Sequence, residues 1–187
     1  MKRRSRTQML AAVTVTLIVL LVLTIYVRSL YGVSPYAQFL KLIYSDVPVQ
    51  VVPVELVEGT PFTFRTRIIQ RNIYYLSLLV YFDNAEQRVR VDDLIGGPVG
   101  QPGNVARPPG KLQTVIRIVV RDLENRAIYD RTVRPEGRNI TGATYLGRRL
   151  DTIELSEGIY EVSVTPLSDM SRLAPFRTAL EIYYLFK

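Results

Sequence analysis

The chain has 187 residues, 24 Lys and Arg against 17 Asp and Glu, a formal net charge of +7, and no His, Cys or Trp. Without His or Cys there is no Ser-His-Asp or Cys-His nucleophile, no imidazole or thiolate metal site, and no disulfide framework. The basic excess points to phosphate or anionic lipid only if it is spread over the folded part.

It is not spread. Lys2, Arg3, Arg4, Arg6, Arg28 and Lys41 all precede Asp46, and no acidic residue does. From Asp46 onward the two signs nearly balance. The charge therefore marks topology, and no nucleic-acid partner is expected.

Residues 1–8 read as a basic cytoplasmic tail. Met9 to Val27 carries no charged side chain over 19 residues. As a helix it spans about 28 Å, one bilayer core. The basic flank before it fixes the N-terminus in the cytoplasm, and Tyr26 and Tyr31 suit the outer interface. A cleaved signal peptide fits less well, because the apolar run is long and no small-x-small cleavage site follows it. The missing lipobox Cys excludes a bacterial lipid anchor. Residues 28–46 form a stalk, in which Ser34-Pro35 caps a short helix with Tyr36, Phe39, Leu40, Ile43 and Tyr44 on one face. That helix either docks on the outer domain or lies on the membrane with Lys41 snorkelling.

Residues 47–187 switch to period two. Val49 to Leu56 alternates, but Pro48 and Pro53 demote it to an edge or bulged strand. Phe62 to Ile68 and Ile73 to Phe82 are strands on either side of polar turns. Thr114 to Val120 and Ala127 to Val133 form a hairpin, as do Leu150 to Leu155 and Ile159 to Pro166. Phe176 to Phe186 is the final strand. Seven or eight strands with no second helix of note predict an all-β fold, an immunoglobulin-like or jelly-roll two-sheet sandwich, preceded by one transmembrane helix. Leu155-x-x-Gly158-x-Tyr160 matches a Greek-key corner whose Tyr hydroxyl bonds back to nearby backbone. Two long loops are expected: Ile95 to Lys111, with five Gly and four Pro, and the polar Arg134 to Gly147.

Chemical motifs are weak. Gly110-Lys111 lacks the Ser or Thr and the helix of a phosphate loop. Asp83, Glu86, Asp92 and Asp93 lack calcium-loop spacing and read as a solvated acidic loop. Asn139-Ile140-Thr141 is a glycosylation sequon only in a eukaryotic secretory host. No catalytic, cofactor-binding or metal-binding residues are assigned, and no cofactor is expected. Arg88 and Arg90 read as an ordinary charged face. The candidate partner-binding residues are outward Tyr75, Tyr81 and Tyr183 together with Arg117, Arg121, Arg148 and Arg149, since Tyr and Arg are enriched at interfaces. Each adjacent Tyr pair places one ring inward and one outward.

Pro53-Val54-Glu55-Leu56, Tyr75-Leu76-Ser77-Leu78 with Tyr81-Phe82, Ile128-Tyr129-Asp130 and Leu155-Ser156-Glu157-Gly158-Ile159-Tyr160-Glu161-Val162 together resemble an uncharacterised bacterial family of membrane- or lipid-anchored β-sandwich envelope domains. The resemblance covers most of residues 47–187 and implies the fold but no activity. The expectation is a non-catalytic, single-pass protein of the bacterial inner membrane. Its periplasmic domain would bind another envelope protein, an immunity protein against an envelope toxin being one version. The alternatives are a structural or lipid-handling subunit of an envelope complex and, last, a carboxylate-based hydrolase.

Overall fold

Alternation builds the domain. In Phe62–Ile68 the side chains of Phe64, Thr66 and Ile68 are buried while Thr63 and Arg65 are exposed, the period of a strand with one face on a core. The computed structural model describes residues 12–22, 39, 43–98 and 110–184. It divides the chain into one unit of residues Met1–Ser45 with Phe186–Lys187 and a second unit, Asp46–Leu185.

In the first unit residues 12–22 are helical and exposed, and Thr16 Oγ1 donates to the Ala12 carbonyl at 2.9 Å. Among the described residues no helix is long and apolar enough to cross a membrane. Both ends of the span expected at 9–27, and most of the stalk helix, lie outside the described residues.

Among its described residues the second unit is all-β apart from one helix and a 3-10 turn. Its strands are β1 (Gln50–Pro53), β2 (Phe62–Ile68), β3 (Asn72–Tyr81), β4 (Ile116–Arg121), β5 (Ala127–Val133), β6 (Ile140–Thr141), β7 (Tyr145–Leu155), β8 (Gly158–Pro166) and β9 (Thr178–Tyr184). All strand pairings are antiparallel, in a five-stranded sheet ordered β1-β9-β3-β7-β6 and a four-stranded sheet ordered β2-β8-β4-β5. Ile116, Ile118 and Val120 of β4 and Val162 and Val164 of β8 are fully buried, in one cluster with Leu76, Leu78 and Val80 of β3 and Leu180 and Ile182 of β9. The two-sheet architecture expected from the sequence is present, with nine strands among the described residues.

The hairpin expected from Leu150 to Leu155 and Ile159 to Pro166 is not formed, because β7 and β8 lie in different sheets, and two further local expectations are corrected. The stretch read as an acidic loop contains helix α1 (Ala85–Ile95). Asn84 caps it by accepting from the Gln87 amide at 2.9 Å, and Gln87 Oε1 accepts from the Asp83 amide at 2.8 Å, a reciprocal cap close to the capping box. Only Val91 and Ile95 are buried, a stripe too narrow to register as amphipathic. Second, the loop expected over 134–147 is shorter, because β6 lies within it and β7 begins at Tyr145. A bulge hides the start of β7: Ser77 pairs with Arg149 and Leu76 with Asp151, leaving Leu150 as the extra residue.

Helix α1 is fixed to the sandwich by close approach and by one cation. A Cβ on Gly110 would lie 2.3 Å from the Leu94 carbonyl oxygen, so only Gly lets residues 110–112 run against the end of α1. Leu112 then donates to the Leu94 carbonyl at 2.9 Å. Arg148 stands opposite Leu78 in the register, facing inward, and is 2 % exposed. Its guanidinium donates to the carbonyls of Ile95 (2.5 Å), Leu112 (3.2 Å) and Gly137 (3.2 Å) and to Thr114 Oγ1 (2.6 Å). Ile95 ends α1, so a cation there also meets the negative end of the helix dipole. Burial lowers the guanidinium to about 10, which leaves it charged at neutral pH. Arg148 is therefore an internal clamp, and its assignment to a partner-binding surface is corrected.

Tyr160 donates its hydroxyl to the Ser156 carbonyl at 3.1 Å, the corner bond expected from the sequence. Tyr74 makes the same four-residue return to Gln70 at 2.8 Å.

Replacing Arg148 leaves three carbonyls without donors. Arg148→Ala is expected to destabilise the domain by about 3 kcal/mol or more in urea unfolding. Arg148→Lys is expected to recover little, because an ammonium cannot span the fork of acceptors.

Candidate functional site

With Leu76, Leu78 and Val80 facing the core, the other face of β3 carries Tyr75, Ser77, Leu79 and Tyr81. Register aligns Tyr183 with Tyr75, Glu181 with Ser77 and Ala179 with Leu79 on β9. On β7 it aligns Arg149 with Ser77, Gly147 with Leu79 and Tyr145 with Tyr81. The outer face of the five-stranded sheet thus has a trough between two aromatic pairs, with Ser77, Leu79, Gly147 and Ala179 buried at its floor.

At one end Tyr75 and Tyr183 stack at 5.3 Å, and the Arg149 guanidinium lies 4.2 Å from the Tyr75 ring centre. At the other, Tyr81 and Tyr145 tilt together at 5.6 Å, and Arg177 lies 5.5 Å from the Tyr81 ring. Aromatic pairs of this kind contribute about 0.5–1.5 kcal/mol beyond burial, and exposed cation–π contacts about 0.5–1. They hold four rings and two guanidinia in place. Burial pushes the Tyr81 hydroxyl up, with Tyr145 and Glu181 adding to it.

Between these ends the polar groups are poorly satisfied. Ser77 Oγ and Arg149 Nε are buried without a hydrogen-bond partner. The Glu181 carboxyl is raised by desolvation alone and forms no ion pair among the described residues. Buried polar groups in native proteins are nearly always paired, and Ser77 Oγ and Arg149 Nε are two exceptions in one row.

The sequence candidates therefore separate. Tyr75, Tyr81, Tyr183 and Arg149 share this face. Arg117 and Arg121 lie on β4 of the other sheet. Arg117 makes a two-pronged contact to Asp130 at 2.9 and 2.7 Å, and Arg121 donates to the Asn125 carbonyl at 3.0 Å. Tyr145, Arg177 and Glu181 join the face without having been singled out, because only cross-strand register brings them there.

The weaker motifs have structural roles. Asp92 pairs with Arg138 at 2.5 Å, Asp93 with Lys111 at 2.7 Å, and Asp83 with Arg177 at 3.3 Å. Among the described residues no group of three or more His, Cys, Asp or Glu is placed to hold a metal ion. A cavity of about 430 Å³ borders Arg148, Thr114 and Gly137, but the guanidinium is already engaged by protein oxygens.

The chain belongs to the DUF5625 family, a domain of unknown function. The family match runs over residues 53–184, from the end of β1 to the end of β9. No curated protein matches the chain. The crystal structure of GEBA250068378 from Sulfurospirillum deleyianum is similar to it, with a TM-score of 0.58 at 17 % identity, covering 73 % of this chain and 97 % of that one. At that identity the likeness is one of fold. An uncharacterised family accords with the resemblance read from the strand motifs. The trough with its Tyr and Arg ends lies within the matched DUF5625 residues.

Glu181 gives the face a pH signature. Its folded-state pKa is raised, so the folded state holds the proton more tightly than the unfolded chain, and stability falls as pH rises through that window. Glu181→Gln is expected to melt above the wild type at pH 7, with the gap closing below about pH 4. Thermal scans across pH check this.

Proposed function

We propose that the domain is a non-catalytic protein-recognition module, and that the Tyr75–Tyr183–Arg149 end of the five-stranded sheet contacts the partner. One observation carries the reading: preorganised aromatic and guanidinium groups flank a trough in which Ser77 Oγ and Arg149 Nε have no hydrogen-bond partner among the described residues. Tyr and Arg dominate interface hot spots, and rings already stacked lose little entropy on docking. The pairing of Asp83, Asp92, Asp93 and Asp130 with cations favours protein recognition over carboxylate catalysis.

The proposal includes the address. The charge-free run 9–27 behind a basic tail supports a single-pass anchor with the domain in the periplasm of a bacterial cell. An immunity protein against an envelope-acting toxin is the version that combines this address with a non-catalytic binding face.

The chain has no native Cys, which makes both parts testable. A single cysteine at Leu123 is expected to react with a membrane-impermeant maleimide from the periplasmic side, and one at Ser5 is not. A photo-crosslinker at Tyr183 is expected to capture one stoichiometric protein partner, and Arg149→Ala with Tyr75→Ala to abolish capture while the fold persists. Equal capture from a crosslinker at Ile128, on the other sheet, argues against the face.

A further inference from the structure

One end of the trough opens into a groove. Tyr81, Arg177 and Ala179 belong to the outer face, and they also line a cavity of about 1010 Å³ that runs between β1 with its extension to Glu58 and the 169–174 segment. Its floor is apolar, formed by Val54, Leu56, Met170, Leu173 and Phe176. Val51 and Val57 stand 45 % and 50 % exposed along it. A groove of this size can take several side chains of a polypeptide.

The rim selects charge. Glu55, Glu58 and Asp169 line the groove. Glu55 and Glu58 are exposed and make no ion pair among the described residues. Asp169 accepts from the Ser171 amide at 2.8 Å and from its hydroxyl at 2.9 Å, bonds that lower its carboxyl and keep it ionised. Arg177, the cation among the lining residues, is taken up by Asp83 and the Tyr81 ring. The groove therefore offers apolar surface under a net negative lip.

Backbone geometry decides how a segment would lie there. β1 is an outer strand whose neighbour is β9, so its other edge is open to strand addition. Val54 donates to the Thr178 carbonyl at 3.0 Å, and with antiparallel alternation this turns the nitrogen of residue 53 to the open side. Residue 53 is proline and has no hydrogen to donate. Pairing of a new strand is blocked at that point, and side chains in the groove must supply recognition.

We infer that the groove beside β1 docks a segment of another protein that carries a short apolar run with basic residues beside it. This deepens the proposed recognition function and rests on it. The apolar side chains fill the Leu56–Met170–Phe176 floor, and Lys or Arg meets Glu55, Glu58 and Asp169.

The probes are two fluorescent synthetic peptides, each with Leu-Val-Phe-Leu at its centre, one flanked by lysines and one by glutamates. Anisotropy titration against the full chain in detergent is expected to show saturable binding of the lysine peptide, at least about tenfold tighter than the glutamate peptide. The Glu55→Lys, Glu58→Lys double variant, at two exposed positions, should reverse that preference with an unchanged melting temperature. Equal binding of both peptides, binding unaffected by the double variant, or no binding of either overturns the inference. If in any of these cases the Tyr183 crosslinker still captures a partner, the groove proposal fails alone and the recognition face stands.

Discussion

The guanidinium of Arg148 is the interaction on which the non-sheet parts of the domain depend. A buried cation is costly unless it is hydrogen-bonded. Here three carbonyls and a hydroxyl receive it, and they come from segments that share no ladder: the end of α1, residues 112–114 and the approach to β6. Their common point of attachment is a single inward position on β7. The charge thus substitutes for apolar packing where the chain has loops and no strand to supply it. Gly110 completes the arrangement by letting the same segment pass α1 at backbone contact.

The two faces of the five-stranded sheet show what alternation can and cannot determine. Inward positions were legible: Tyr74, Leu76, Leu78 and Val80 in β3 and Leu180, Ile182 and Tyr184 in β9 follow period two without interruption, and all are buried. The Tyr160 corner was legible because Leu155, Gly158 and Tyr160 are close in sequence and the bond returns only four residues. β7 was legible only in its second half. Its bulge at Leu150 shifts the period, so Arg148 and Arg149 look like one surface pair when one is clamped inside and the other lies over Tyr75.

The site was half legible for a related reason. Outward Tyr75, Tyr81 and Tyr183 could be named from local alternation, and Arg149 only as one of a basic pair. That Tyr145, Arg177 and Glu181 stand with them depends on register across three strands far apart in sequence, which no local pattern encodes. The small residues between them, Ser77, Gly147 and Ala179, look unremarkable one by one. Side by side they make the floor of a trough, and a larger side chain at Gly147 would meet Leu79 at 2.9 Å. Helix α1 escaped notice because its signal is in its cap, Asn84 with Gln87, while its exposed face is as polar as a loop.

The strand order has a temporal side. β3 occupies the middle of its sheet between β7 and β9, and β1 has β9 as its neighbour. Both neighbours of β3 lie far along the chain from it, β7 at Tyr145–Leu155 and β9 at Thr178–Tyr184. While the chain emerges from its N-terminus, β1 and β3 have no one to pair with, and the sheet cannot close until Thr178–Tyr184 arrives. Contacts so distant in sequence form slowly because the intervening chain must first be ordered. The β4–β5 hairpin, whose strands are adjacent in the chain, can therefore form before the five-stranded sheet does.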